Sequence, residues 1–164
     1  MRLKVVFIFS VIAFLMACSE AELHFSSGEK KALSDFQGDW LLINYWAGWC
    51  KPCIHEIPEL NQIDAMPGIR VFGYNFDHLT GNALKEEAAR FNIAYASLVL
   101  KPEELFGQAV PGGIPATMLI DPDGMFREWL MGPQTKASIL ASIEEHVSGS
   151  SAMDQQGAGS KVAD

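Results

Sequence analysis

The chain has 164 residues, enough for one domain with a hydrophobic core and too few for two. Apolar residues make up 49% of it, and the formal net charge is -8, from 12 basic and 20 acidic residues. That acidic balance, without a basic patch, a zinc knuckle or aromatic–basic interleaving, speaks against nucleic-acid binding, which needs clustered Lys and Arg for phosphate contacts.

Residues 1–17 read as an export signal and not as part of the fold. Arg2 and Lys4 form its positive start and Val5 to Met16 its apolar stretch. The stretch is too short and wrongly flanked for an ordinary membrane-spanning helix. Leu15-Met16-Ala17-Cys18 resembles the lipobox of bacterial lipoproteins. In that family the signal is cut before the Cys, which is diacylated, so the resemblance implies a lipid on Cys18. Several acyl chains on one residue anchor firmly where a single chain binds only marginally. Ser19 stands where an Asp would resemble an inner-membrane retention signal, which favours the outer membrane in a host with two membranes. Residues 18–24 are then a lipid-anchored Cys with a short tether.

The folded domain is expected over residues 25–147. His24-Phe25-Ser26 suits a short strand turned by Ser27-Gly28, and Leu33 to Gly38 a short helical turn. Trp40 to Trp46 is a nearly continuous apolar and aromatic run, the pattern of a central strand covered on both faces. A helix follows in which Ile54, Ile57, Leu60 and Ile63 recur at helical spacing, with Pro58 removing one amide donor and kinking it. Ile69 to Asn75 is a second strand. Asn82 is placed to cap a helix ending near Phe91, with Leu84, Ala88 and Phe91 on one face.

Ala96 to Leu100 suits a short strand, Pro102 to Phe106 one helical turn, and Val110 to Pro115 a loop. Thr117 to Ile120 and Met125 to Trp129 are strands joined by the tight turn Asp121-Pro122-Asp123-Gly124, hence antiparallel. Thr135 can cap a last helix whose buried stripe is Ile139, Leu140, Ile143 and Val147. Residues 148–164, rich in Ser, Gly, Ala, Gln and Asp, read as a flexible tail. Parallel βα units followed by a hairpin and a helix predict an α/β fold with a mixed central sheet and helices on both faces.

Three cysteines are present. With Cys18 taken by lipid, Cys50 and Cys53 remain as one C-x-x-C. A structural zinc site wants four Cys or His ligands, and His55 leaves the set short, so no metal is expected. Cys50 falls where the strand hands over to the helix. Free amides and the helix dipole stabilise a thiolate there, and Lys51 adds positive charge. Cys50 is therefore the expected nucleophile. Cys53, one turn later on the same face, is the resolving thiol. Pro52 supplies no amide, which costs nothing in the first turn, and stiffens the pair.

Asn44-Tyr45-Trp46-Ala47-Gly48-Trp49-Cys50-Lys51-Pro52-Cys53 resembles the active-site stretch of the thioredoxin superfamily. More closely it is similar to the extracytoplasmic TlpA/ResA-like branch, membrane-tethered thiol–disulfide oxidoreductases that include cytochrome c maturation proteins. Leu33-Ser34-Asp35-Phe36, Glu56-Ile57-Pro58, Gly113-Ile114-Pro115-Ala116-Thr117 and Asp121-Pro122-Asp123-Gly124 carry the match further.

The resemblance implies a thioredoxin-like fold and dithiol–disulfide exchange with protein thiols outside the cytoplasm. It implies no cofactor, and a CcdA/DsbD-like membrane electron donor as partner. It places Pro115 as the family's cis-proline facing the cysteines, with the Ile114 backbone free to pair with an extended substrate. It places Glu56 as an acidic residue able to exchange a proton with Cys53. Asn44 stands where cytoplasmic thioredoxins have a buried Asp, which shifts that role to Glu56. Trp49 and Pro52 are expected to meet the partner, and Trp46 to pack in the core. His55 and His78 are expected at the surface. Two alternatives differ in class. A thiol peroxidase would need a Thr- and Pro-framed Cys with an Arg nearby, which Trp46-Ala47-Gly48-Trp49 does not supply. A membrane-tethered binding or chaperone module would have no use for an intact cysteine pair.

Overall fold

The structure, a computed structural model, describes residues 21–158; the expected signal segment, Cys18 and Ser19 lie outside them. The chain opens with a small antiparallel hairpin, β1 (Glu22–His24) and β2 (Lys30–Ala32). A 3-10 turn over Leu33–Phe36 leads into β3 (Trp40–Trp46). Then come α1 (Lys51–Asp64), β4 (Ile69–Asn75), α2 (Gly81–Arg90) and β5 (Ala96–Leu98). The short α3 (Pro102–Leu105), β6 (Ala116–Ile120), β7 (Phe126–Met131) and α4 (Lys136–Ala158) complete it.

Five strands form one mixed sheet in the order β5-β4-β3-β6-β7. β3, β4 and β5 run parallel, and β6 and β7 pair antiparallel. This is the expected mixed sheet. β3 lies at its centre, and every residue from Trp40 to Trp46 is buried, which accounts for the unbroken apolar run. Leu41, Ile43 and Tyr45 point to one face and pack with Leu23 and Phe25 of the hairpin segment, with the 3-10 turn and with residues of α3. Trp40 and Leu42 point to the other, against Leu60 and Ile63 of α1 and Ile139 of α4. Trp46 continues that face and meets Leu84 of α2. Full burial of a Leu42 or Ile43 side chain contributes about 1.5–3 kcal/mol. Helical elements cover both faces, unequally: the hairpin and single turns stand where a second helical layer is expected.

Several boundaries differ from the sequence reading for local reasons. The first strand lies upstream of Phe25, so the fold begins before residue 25. β2 carries two lysines and no apolar alternation, so it has no sequence signature. α2 is capped at Thr80 and not at Asn82, because the Leu84 amide closes its first turn on the Thr80 carbonyl. α1 continues through the exposed Pro58, which lies inside the helix and starts no new element, as read from the sequence. Thr135 caps α4 as expected: its hydroxyl accepts from the Ser138 amide at 3.1 Å. Val147 is 51% exposed, so the buried stripe does not reach it. His146 turns inward instead, bonding Glu128 at 3.0 Å. α4 also continues past Val147 to Ala158, where sequence composition suggests irregular chain. Propagation of a nucleated helix needs only modest propensity.

Candidate active site

Cys50 lies just beyond the carboxyl end of β3. The chain leaves β3 for β4 on one side, while β6 pairs on the other, so this is the point where strand order reverses. Such crevices are where open α/β sheets place their ligands. Cys50 is the N-cap of α1, and its sulfur accepts from the Cys53 amide at 3.3 Å. That donor, with the dipole behind it, favours negative charge on this sulfur when the pair is reduced. Here the two cysteines form a disulfide. Cys50 is 4% exposed and Cys53 fully buried. Cys50, the expected nucleophile, is the less deeply buried of the two, and the disulfide is more enclosed than an exposed thiol implies.

The enclosure comes from a small apolar cluster. Trp46, Ala47 and Leu84 are buried with both cysteines, and Ile54, Phe91 and Ile114 pack against them. Trp46 is core, as expected, although its Nε1 finds no partner. The Ile114–Pro115 bond is cis, and Ile114 packs on the cysteine cluster, so that loop faces the disulfide. Trp49 is 64% exposed, and its Nε1 donates to the Asp77 carboxylate at 3.0 Å. Pro52 is exposed beside it. Trp49, Pro52 and Ile114 thus lie around Cys50. His55 and His78 lie at the surface.

Glu56 is only 2% exposed. Its Oε1 accepts from Asn44 Nδ2 at 2.7 Å and its Oε2 from the Gln134 amide at 2.7 Å. Burial pushes its carboxyl up to about 7, against the pull of these two donors. The Asn44 amide also donates to Thr117 Oγ1 at 3.3 Å and accepts from the Tyr95 hydroxyl at 3.3 Å. The same packing, with Glu56 nearby, drives the Tyr95 hydroxyl pKa far upward. Of these partners, sequence reading singled out only Glu56 and Asn44. Asp77, Tyr95 and Gln134 come from distant elements and carry no local motif, and Thr117 was read only as the end of the Gly113–Thr117 motif. The nearest sequence signal is Gly73 inside an apolar strand, a mark of close approach.

A helix-capping cysteine disulfide under a cis-proline loop, at the head of a central parallel strand, defines a thioredoxin-fold thiol–disulfide oxidoreductase. The chain belongs to the AhpC/TSA family, which matches residues 16–128. It is 30% identical to the thiol-disulfide oxidoreductase ResA of Bacillus thuringiensis (strain Al Hakam) over 121 residues, covering 72% of this chain and 69% of that one. Against ResA of Geobacillus thermodenitrificans the identity is 27% over 120 residues, covering 71% and 68%. Among solved structures, a thiol:disulfide interchange protein from Chlorobium tepidum TLS superposes with a TM-score of 0.58 at 25% identity, covering 72% of this chain and 86% of that one. The enzyme is a thiol–disulfide oxidoreductase of the ResA type.

Proposed function

We propose that the enzyme exchanges its Cys50–Cys53 dithiol with disulfides of extracytoplasmic proteins, held at a membrane by lipid on Cys18, and that it serves as a reductant in cytochrome c maturation. The observation that carries the reading is the convergence of Cys50, Trp49, Pro52 and the cis Ile114–Pro115 loop on one open face, which suits an extended polypeptide.

The chemistry runs in two exchanges. The Cys50 thiolate attacks a substrate sulfur, forming a mixed disulfide and releasing the other substrate sulfur as thiolate. Cys53 then gives its proton to Glu56, one turn along α1, and attacks Cys50 Sγ. The second substrate sulfur leaves as thiolate. Two electrons have passed to the substrate and the Cys50–Cys53 disulfide remains. A membrane dithiol donor of the CcdA/DsbD-like class resets it. A carboxylate that titrates near 7 suits this role, since its base form is present at working pH and still holds a proton well.

Trapping in the host tests the substrate class. Cys53→Ser accumulates mixed disulfides with exported proteins, because attack proceeds and release does not, whereas Cys50→Ser accumulates few. Adducts only with cytoplasmic proteins, or more adducts with Cys50→Ser, contradict the reading. Cys18→Ala tests the anchor separately: the variant is expected to leave the membrane fraction and to lose the mass of the acyl chains. An unchanged membrane pool with the same processed mass refutes lipidation.

A further inference from the structure

The polar chain behind the cysteines begins at Tyr95, a residue of the connection between α2 and β5 that is 4% exposed. Its ring lies over β4 at Gly73, the register partner of Asn44 on β3. A Cβ on Gly73 would stand 3.1 Å from the Tyr95 ring, so the missing side chain opens the way from Tyr95 to Asn44. The Tyr95 hydroxyl meets Asn44 Oδ1, and Asn44 Nδ2 meets Glu56.

An Asn amide can turn half a rotation and exchange its oxygen and nitrogen with little change in shape. Turned here, it would set Oδ1 against the Glu56 carboxylate, oxygen to oxygen. It would also leave the Tyr95 hydroxyl proton without an acceptor in a site closed to water, and a buried donor without a partner is costly. We propose that Tyr95 is a positioning residue for the redox centre: its hydroxyl fixes the Asn44 amide with the nitrogen towards Glu56, so that the carboxylate one turn from Cys53 keeps a permanent donor. The kinetic consequence rests on Glu56 as the proton acceptor; the placement of the amide does not.

The titratable groups around Glu56 are few. Cys53 lies on α1, and Tyr95 faces Glu56 through Asn44. Further along α1 are Glu59, whose carboxylate accepts from the Lys136 amide at the start of α4 at 2.9 Å, and Asp64, which like Glu56 acts on Tyr95. β6 contributes the neutral Thr117. Tyr95→Phe therefore removes one hydroxyl and no charge.

Titration of the Glu56 carboxyl carbon by NMR, in the oxidised full chain, reads the placement directly. Tyr95→Phe is expected to raise the midpoint by about one pH unit, the scale of one hydrogen bond to a charged group. Asn44→Ala raises it at least as much, and Tyr95→Phe adds nothing in that background. In the unaltered protein the Asn44 side-chain NH2 resonances move with the same midpoint. An unshifted midpoint in Tyr95→Phe, a shift that persists without Asn44, or Asn44 resonances blind to Glu56 overturns the proposal.

The rate of mixed-disulfide release against pH reads the consequence. Its midpoint should follow that of Glu56 in Tyr95→Phe and vanish in Glu56→Gln. A carboxyl titration that shifts while the release profile stays put refutes Glu56 as proton acceptor and leaves the placement of Tyr95 standing.

Discussion

Glu56 shows how one buried side chain ties stability to chemistry. In the unfolded chain it titrates near 4.5, and in the fold near 7 because burial disfavours its charge. The folded state therefore holds this proton more tightly. Its favourable contribution is present below pH 4.5 and is lost as pH rises through about 7. The difference is on the order of 3 kcal/mol at its largest. Urea unfolding of the wild type should show stability falling across that window, and Glu56→Gln should flatten the fall. A slope that survives the substitution contradicts this account. The residues proposed to carry the chemistry lie in local motifs and were legible in the sequence. Cys50, Cys53 and Glu56 share one helix, and Pro115 stands in a recognisable motif. Tyr95 and Gln134 were not, because their contacts cross 51 and 78 residues of chain, and nothing in the sequence beside them records the partner.

At the scale of elements, two glycines near the site make opposite demands. A methyl group on Gly73 would crowd the Tyr95 ring at 3.1 Å and Trp46 Nε1 at 3.2 Å, both fixed by the core. A methyl group on Gly48 would meet the carboxylate end of Glu87, a side chain on α2 that can swing away, and would stand 3.2 Å from the Phe91 ring at the end of that helix. Gly73→Ala should therefore cost about 1–3 kcal/mol in thermal or urea unfolding, as overpacking does. Gly48→Ala should cost much less. Equal costs would mean that the Tyr95–Trp46 packing is softer than the distances imply. The strongest strands, β3 and β4, were legible end to end because burial on both faces writes a nearly continuous apolar run in β3 and, apart from the exposed Arg70, a largely buried one in β4. The short hairpin strands were not, since three residues hold too little pattern to distinguish strand from loop. The start of α2 and the far end of α4 also escaped the sequence reading. There the competition between capping residues and helix propagation is decided by packing, which propensity alone does not weigh.

The whole molecule places the Cys50–Cys53 disulfide at the reversal point of the sheet, with an apolar cluster around it and a titratable carboxylate behind it. The order of elements was enough to predict a mixed sheet, because parallel βα units and a tight-turn hairpin leave few ways to pair. The order did not tell which strands would form the edges; β5 and β7 take them, and the segment after β1 covers β5 through the Phe25–Leu98 bridge. Among the described residues no helix is long and apolar enough to cross a membrane. The central claim is that Cys50 and Cys53 act as one exchanging dithiol. Reduction of insulin disulfides by the purified chain with dithiothreitol present tests it most directly. The account predicts that the wild type accelerates reduction, that Cys50→Ser and Cys53→Ser both lose the acceleration, and that only Cys53→Ser, reduced and freed of dithiothreitol before mixing, retains covalently bound insulin chain by mass. No acceleration by the wild type, or full activity in either serine variant, would contradict it.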